Sequence, residues 1–208
     1  MLFLTYLGPA SPIVERPSPL PGGGLNISWK SDVTSRQEEY AVQYVRNDTE
    51  TVQTIKTRTP RIKLENLYPG AGYEIKVYAL SNGLYSAPHI SFTAVYPNPP
   101  KNLTILKVQD NKLTLQWLQP VNSLFNGYVV RYRPYPRNGE EIRGGWTTAT
   151  DDPITDTEYV LSDLSPGEHF QITVDSVSHH VTSGKPLMVT KKIPPQSVSN
   201  IRPILGKL

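Results

Sequence analysis

Apolar and polar residues alternate along most of this chain, and the pattern occurs twice. Leu25, Ile27 and Trp29 interleave with Asn26 and Ser28; 88 positions later Leu113, Leu115 and Trp117 interleave with Thr114 and Gln116. A period of two places successive side chains on opposite faces, so each segment predicts a strand with one buried and one wetted face. The same offset of 88 carries Tyr40-Ala41-Val42-Gln43-Tyr44 onto Tyr128-Val129-Val130-Arg131-Tyr132. Further along, Leu67-Tyr68-Pro69-Gly70-Ala71-Gly72-Tyr73 falls on Leu164-Ser165-Pro166-Gly167-Glu168-His169-Phe170 at an offset of 97. The second copy is therefore nine residues longer in between, an excess assigned to the hairpin from Pro134 to Asp152. After each Pro-Gly turn another strand follows, with Tyr73, Ile75, Val77 and Ala79 on one face, and Phe170, Ile172, Val174 and the less apolar Ser176 in the second copy. Each copy closes on a turn and a last strand, Ser86-Ala87-Pro88 before Ile90 and Phe92, and Ser183-Gly184-Lys185-Pro186 before Leu187 and Val189.

Short strands with turn signals every 8–12 residues, in copies of roughly 90 residues, describe a β-sandwich of about seven strands. The predicted fold is thus all-β, two such sandwiches in tandem, over residues 11–96 and 101–193. Between them Pro97-Asn98-Pro99-Pro100 lacks backbone donors at its prolines and reads as a short, extended, stiff linker. Residues 1–10 read as the boundary of a preceding segment. Pro194-Pro195-Gln196-Ser197-Val198 echoes Pro99-Pro100-Lys101-Asn102-Leu103, so residues 194–208 read as the start of a truncated third module. Residues 11–24 show no clear alternation, which leaves the first strand of the first copy without a sequence assignment.

Composition narrows the chemistry more than the fold. The chain has no Cys, which excludes a thiolate nucleophile, a CxxC redox pair, Cys-ligated metal and every disulfide, including the inter-sheet staple of antibody-type domains. Twenty Pro and 14 Gly spread along the 208 residues favour turns over long helices. Net charge is +3, with 9 basic and 8 acidic residues in positions 1–97 and 12 and 10 in positions 98–208. Interspersed signs of this kind do not make the basic face that counterion release requires, so nucleic acid is not an expected partner. No apolar run approaches the roughly 20 residues of a membrane span. Any membrane attachment would run through a helix outside this chain.

A Trp closing one strand, Tyr-x-Val-x-Tyr in the next and Leu-x-Pro-Gly-x-x-Tyr before the penultimate strand together resemble the fibronectin type III family. The resemblance implies that Trp29 and Trp117 fill the two cores, with Tyr44 and Tyr132 beside them. It also implies that Tyr73 forms a corner by bonding its hydroxyl back to the chain. Phe170 stands at the equivalent position and has no hydroxyl to do so. Leu-Asn-Ile-Ser-Trp-Lys-Ser-Asp-Val at 25–33 and Ala-Val-Tyr-Pro-Asn-Pro-Pro at 94–100 are similar to extracellular repeats of insect receptor-type tyrosine-protein phosphatases. That likeness implies a non-catalytic ectodomain segment of a single-pass receptor, on the outer side of the plasma membrane, acting as spacer and as a surface for a cell-surface or secreted protein ligand. The phosphatase reaction needs a Cys nucleophile, which this chain lacks. The same modules also suit an adhesion molecule or an intracellular scaffold, because such sandwiches host many functions.

Candidate sites are few. Three acceptor tripeptides, at Asn26, Asn47 and Asn102, would each accept a glycan in a secreted protein, although chance placement alone yields about two. Arg131 and Arg133, alternating with Val130 and Tyr132, combine with Arg137 and Arg143 as a basic strip for a sulfated glycan or an acidic partner. Glu140, Glu141, Asp151 and Asp152 lie nearby in sequence as its neutralising charges. Trp146 has no counterpart in the first copy and has two readings, an exposed anchor for a partner or an aromatic packed over its own sheet edge. His179-His180, read as adjacent strand residues, point to opposite faces and suggest no metal set. Gly22-Gly23-Gly24 precedes a strand, not a helix, and makes no phosphate loop. No cofactor motif is present.

Overall fold

The computed structural model describes residues 8–135 and 144–195. Module 1 contains β1 (Ile13–Val14), β2 (Ser18–Leu20), β3 (Gly24–Lys30), β4 (Glu39–Arg46), β5 (Gln53–Thr57), β6 (Arg61–Leu64), β7 (Gly72–Ser81), β8 (Leu84–Tyr85) and β9 (His89–Ala94). Module 2 contains β10 (Lys101–Gln109), β11 (Lys112–Leu118), β12 (Gly127–Pro134), β13 (Thr147–Thr148), β14 (Glu158–Leu161), β15 (His169–Ser178), β16 (Val181–Thr182) and β17 (Leu187–Lys192). All described pairings are antiparallel, and no helix occurs among the described residues.

Each module is two sheets face to face. In module 1, β3 lies between β6 and the short pair β1 and β2, opposite a sheet in which β4 and β7 are flanked by β5, β8 and β9. Module 2 repeats this with β10, β11 and β14 facing β13, β12, β15, β16 and β17. Counting β1 with β2, β8 with β9 and β16 with β17 as single interrupted strands gives seven per sandwich. Prolines at 12, 17, 19 and 21 explain why the first strand of module 1 is broken: each lacks an N–H for the ladder and fits only an edge.

The alternation read from sequence places the cores. Leu25, Ile27, Trp29, Tyr40, Val42, Tyr44, Ile75 and Val77 are buried between the sheets of module 1, and Leu113, Leu115, Trp117, Tyr128, Val130, Phe170, Ile172 and Val174 between those of module 2. Trp29 meets Tyr40 edge-on at 5.1 Å between centroids and Trp117 meets Tyr128 likewise at 5.3 Å, the tilt that sets a positive ring edge against a negative face.

The turns use the left-handed backbone differently in the two copies. Gly22-Gly23 (φ 84° and 80°) precedes β3, whereas Asp110-Asn111 (φ 49° and 61°) joins β10 to β11. Asn82-Gly83 (φ 47° and 78°) joins β7 to β8, and His179-His180 (φ 48° and 64°) holds the same place between β15 and β16. Two-residue hairpins need positive φ at both positions to match strand twist. The histidines are therefore turn residues, which corrects the strand expectation for them.

The last strands of the two modules differ in phase. Val77 pairs with His89 and Ile75 with Ser91, while Val174 pairs with Leu187 and Ile172 with Val189. Leu187 and Val189 thus face their core, whereas Ile90 and Phe92 face outward and are 55% and 54% exposed. A one-residue shift moves every side chain of a strand to the other face.

Candidate interaction surface

The outward face of the larger sheet of module 2 is where charge and aromatic surface converge. Strand β12 turns Val130 and Tyr132 inward, so Arg131 and Arg133 emerge on the opposite side, beside Thr173 and Gln171 of β15. Every residue of β15 from Phe170 to Ser178 is buried, including the outward-directed Gln171, Thr173 and Asp175. An outer face is normally wet; here neighbouring side chains, the arginines prominent among them, cover it.

Arg133 lies over the Trp146 ring, its guanidinium carbon 4.4 Å from the ring centroid, and its Nε donates to Gln171 Oε1 at 2.8 Å. Among the described residues both contacts are to neutral groups. Trp146 packs against Arg133 of its own sheet and, at 38% exposure, still presents ring surface to solvent. Arg131 is neutralised differently. Its Nη1 reaches Asp175 Oδ2 at 3.2 Å, and Ser183 Oγ donates to Asp175 Oδ1 at 2.9 Å. Burial pushes the Asp175 carboxyl above its ordinary value, and the Ser183 hydroxyl and the Arg131 charge oppose that shift only in part. The sequence assigned the neutralising role to Asp151 and Asp152; the structure gives Arg131 a carboxylate from the adjacent strand. Arg137, Glu140, Glu141 and Arg143 lie outside the described residues.

Asp175 and Gln171 lie on the outward half of β15, which the apolar alternation does not single out, and Ser183 lies in the turn after β16. A charged residue inside a run as apolar as Ile172-Thr173-Val174-Asp175-Ser176-Val177 is the signal that was available.

The remaining candidates disperse. Tyr73 Oη accepts the N–H of Tyr68 at 2.9 Å and sits 6.4 Å from Tyr44, while Phe170 packs 6.1 Å from Tyr132. Asn26 is exposed in mid-β3, Asn47 is exposed in the turn after β4, and Asn102 is exposed with φ 52° at the irregular start of β10. Among the described residues no three His, Asp or Glu side chains converge as metal ligands.

The Fibronectin type III domain family matches residues 19–92 and 98–189. The chain belongs to that family. Its fibronectin type III pair is 29% identical to Tenascin-R of Mus musculus over 156 residues, which is 74% of this chain and 11% of that protein. It is 30% identical to the Collagen alpha-1(XII) chain of Oryctolagus cuniculus over 167 residues, 76% of this chain and 24% of the collagen. The chain thus spans about a tenth of the tenascin and a quarter of the collagen. Among solved structures, a two fibronectin type-III domain segment from chicken tenascin superposes with a TM-score of 0.50 at 22% identity, covering 89% of this chain and 99% of the segment. That likeness carries the fold.

Proposed function

We propose that this pair of modules works outside the cell as a spacer and as a docking surface for a protein ligand, through the Arg133–Trp146 face of module 2. One observation carries the reading: a half-exposed indole pinned beneath a charged guanidinium, over a strand whose outward side chains are already desolvated. Such a surface is preordered, so a partner meets little further loss of side-chain freedom, and Trp and Arg are the residue types that most often dominate contact energies. Fibronectin type III modules are non-catalytic, so the function is one of binding and spacing.

Tenascin and collagen relatives support an adhesion or matrix parent. The likeness of residues 25–33 and 94–100 to receptor-type tyrosine-protein phosphatase 10D of insects supports a second parent, a receptor ectodomain. Sequencing the transcript beyond Leu208 separates them. A membrane span followed by His-Cys-x5-Arg supports the receptor, and further modules without a span support the matrix protein.

The surface is tested by screening the chain against a panel of secreted and cell-surface ectodomains, with heparin as a sulfated-glycan probe. A protein ligand whose affinity falls at least tenfold in Arg133→Ala and Trp146→Ala is the expected result. Binding unaffected by both changes moves the docking site elsewhere, and retention on heparin alone reassigns the face to a glycan.

A further inference from the structure

The linker is not the only link between the modules: module 2 reaches back and hydrogen-bonds to the backbone of module 1. Leu124 N–H donates to the Pro69 carbonyl at 2.9 Å, and Ser123 Oγ approaches the same oxygen at 3.3 Å. Ser178 Oγ donates to the Gly70 carbonyl at 2.6 Å from a buried position. In the linker, Asn98 N–H donates to Ser123 Oγ at 2.9 Å, its amide Nδ2 donates to the Val121 carbonyl at 2.9 Å, and its own carbonyl accepts from Ser176 Oγ. Phe92, which the reversed phase of β9 turns outward, meets the His179 ring edge-on at 5.5 Å.

Two features mark this as a dedicated interface and not an incidental touch. Gly70 has φ 74°, and a Cβ built on it would fall 1.8 Å from the Leu124 carbonyl oxygen, so only glycine admits this approach. Ser176 pairs with Tyr128 where Ala79 pairs with Tyr40, so the two positions correspond. Module 1 keeps an apolar residue there, while module 2 places a hydroxyl that is 0% exposed and is used on Asn98. A buried hydroxyl in a core position needs a partner, and the one it has lies in the linker.

We infer that the end of module 1 formed by Pro69, Gly70 and Phe92 is the binding partner of the loop end of module 2. The two modules consequently reorient as one body, and the loops around Leu124 and His179 are occupied by module 1. An external ligand is left the sheet faces.

Residual dipolar couplings measured on the full chain test this. One alignment tensor should fit both modules of the unmodified protein, and two unequal tensors would overturn the inference. In Ser176→Ala/Ser178→Ala the tensors should separate while each module keeps its dispersed amide spectrum; a single retained tensor removes the serines from the lock. Phe92→Lys changes a half-exposed residue outside the core of module 1. It should lower the agreement between the two tensors even if the serine variant proves unfolded, and unchanged agreement counts against the interface.

Discussion

The two modules share a chain path and differ in where they place their polar groups. Module 1 follows the simpler scheme: the core residues of β7 (Tyr73, Ile75, Val77 and Ala79) are aromatic or aliphatic, with Ser81 the buried polar residue at the strand's end, its corner Tyr73 satisfies a backbone N–H, and Tyr40 bonds Ser31 through its hydroxyl. Module 2 buries more polarity. Its β15 carries Gln171, Thr173, Asp175, Ser176 and Ser178 out of solvent, its corner is Phe170, and the Tyr128 hydroxyl finds no hydrogen-bond partner among the described residues. Both cores are filled around a Trp–Tyr pair, and what separates the copies is where polar groups sit at the margins of those cores and on the surfaces around them. Module 2 places polar side chains at the joint and on its outer face, whereas module 1 meets the joint through the Pro69 and Gly70 carbonyls.

If the cores are equivalent, removing either tryptophan should cost the same. Trp29→Ala and Trp117→Ala, at 3% and 1% exposure, are each expected to destabilise their own module by about 3–5 kcal/mol, read from urea midpoints. A loss under about 1 kcal/mol in either copy would break the equivalence. The polar difference comes next. Arg131→Ala leaves the Asp175 carboxylate buried with Ser183 alone and should cost module 2 about 1–3 kcal/mol. Because burial raises the carboxyl of Asp175 in the folded state, the native protein holds that proton at a pH where the unfolded chain has lost it. Stability therefore falls as pH rises from the ordinary carboxylate range to the raised value, and is level above it. Asp175→Asn should abolish this part of the pH dependence in urea titrations of module 2, and a slope that survives the change would assign it to another group.

How far these features were legible follows from which physical rule governs each. Period-two alternation located both cores and most strands, since burial of one face is imposed by the sandwich itself. It did not set the phase of β9, where Ile90 and Phe92 face outward and His89, Ser91 and Thr93 inward, because that phase follows from the register of pairing with β7. It also failed at residues 11–24, where prolines replace the pattern by edge strands held through β3. At the candidate surface, the outward direction of Arg131 and Arg133 was readable, as was the oddity of Trp146. The partners Asp175 and Gln171 were not, since they come from a strand some 40 residues away and pair across a register that only the fold supplies. Ser176 was visible as an exception to its strand, and its reason lies in the linker, where its hydroxyl donates to the Asn98 carbonyl.

Smaller effects sharpen the comparison at single atoms. Tyr73→Phe removes the acceptor of the Tyr68 N–H and should cost module 1 about 0.5–1.5 kcal/mol. Tyr128→Phe removes a hydroxyl without a described partner and should be neutral or slightly stabilising, within about 0.5 kcal/mol. Equal losses in the two variants, compared by chemical denaturation, would show that the corner bond contributes nothing particular.

The smallest contrast lies in the turns between β7 and β8 and between β15 and β16. Module 1 places Gly83 at φ 78°, and module 2 places His180 at φ 64° in the corresponding hairpin. A residue with a Cβ pays roughly 1–2 kcal/mol in this region, while glycine gives back roughly 0.5–1 kcal/mol through the greater freedom of its unfolded chain. The balance favours glycine, so His180→Gly should raise the stability of module 2 by about 0.5–1 kcal/mol. Because His180 is exposed and it is His179 that touches Phe92, the change should leave the joint, and hence the agreement of the two alignment tensors, untouched. A destabilised variant would mean that the imidazole of His180 contributes more than its backbone strain, and the turn would then belong to the interface as a whole.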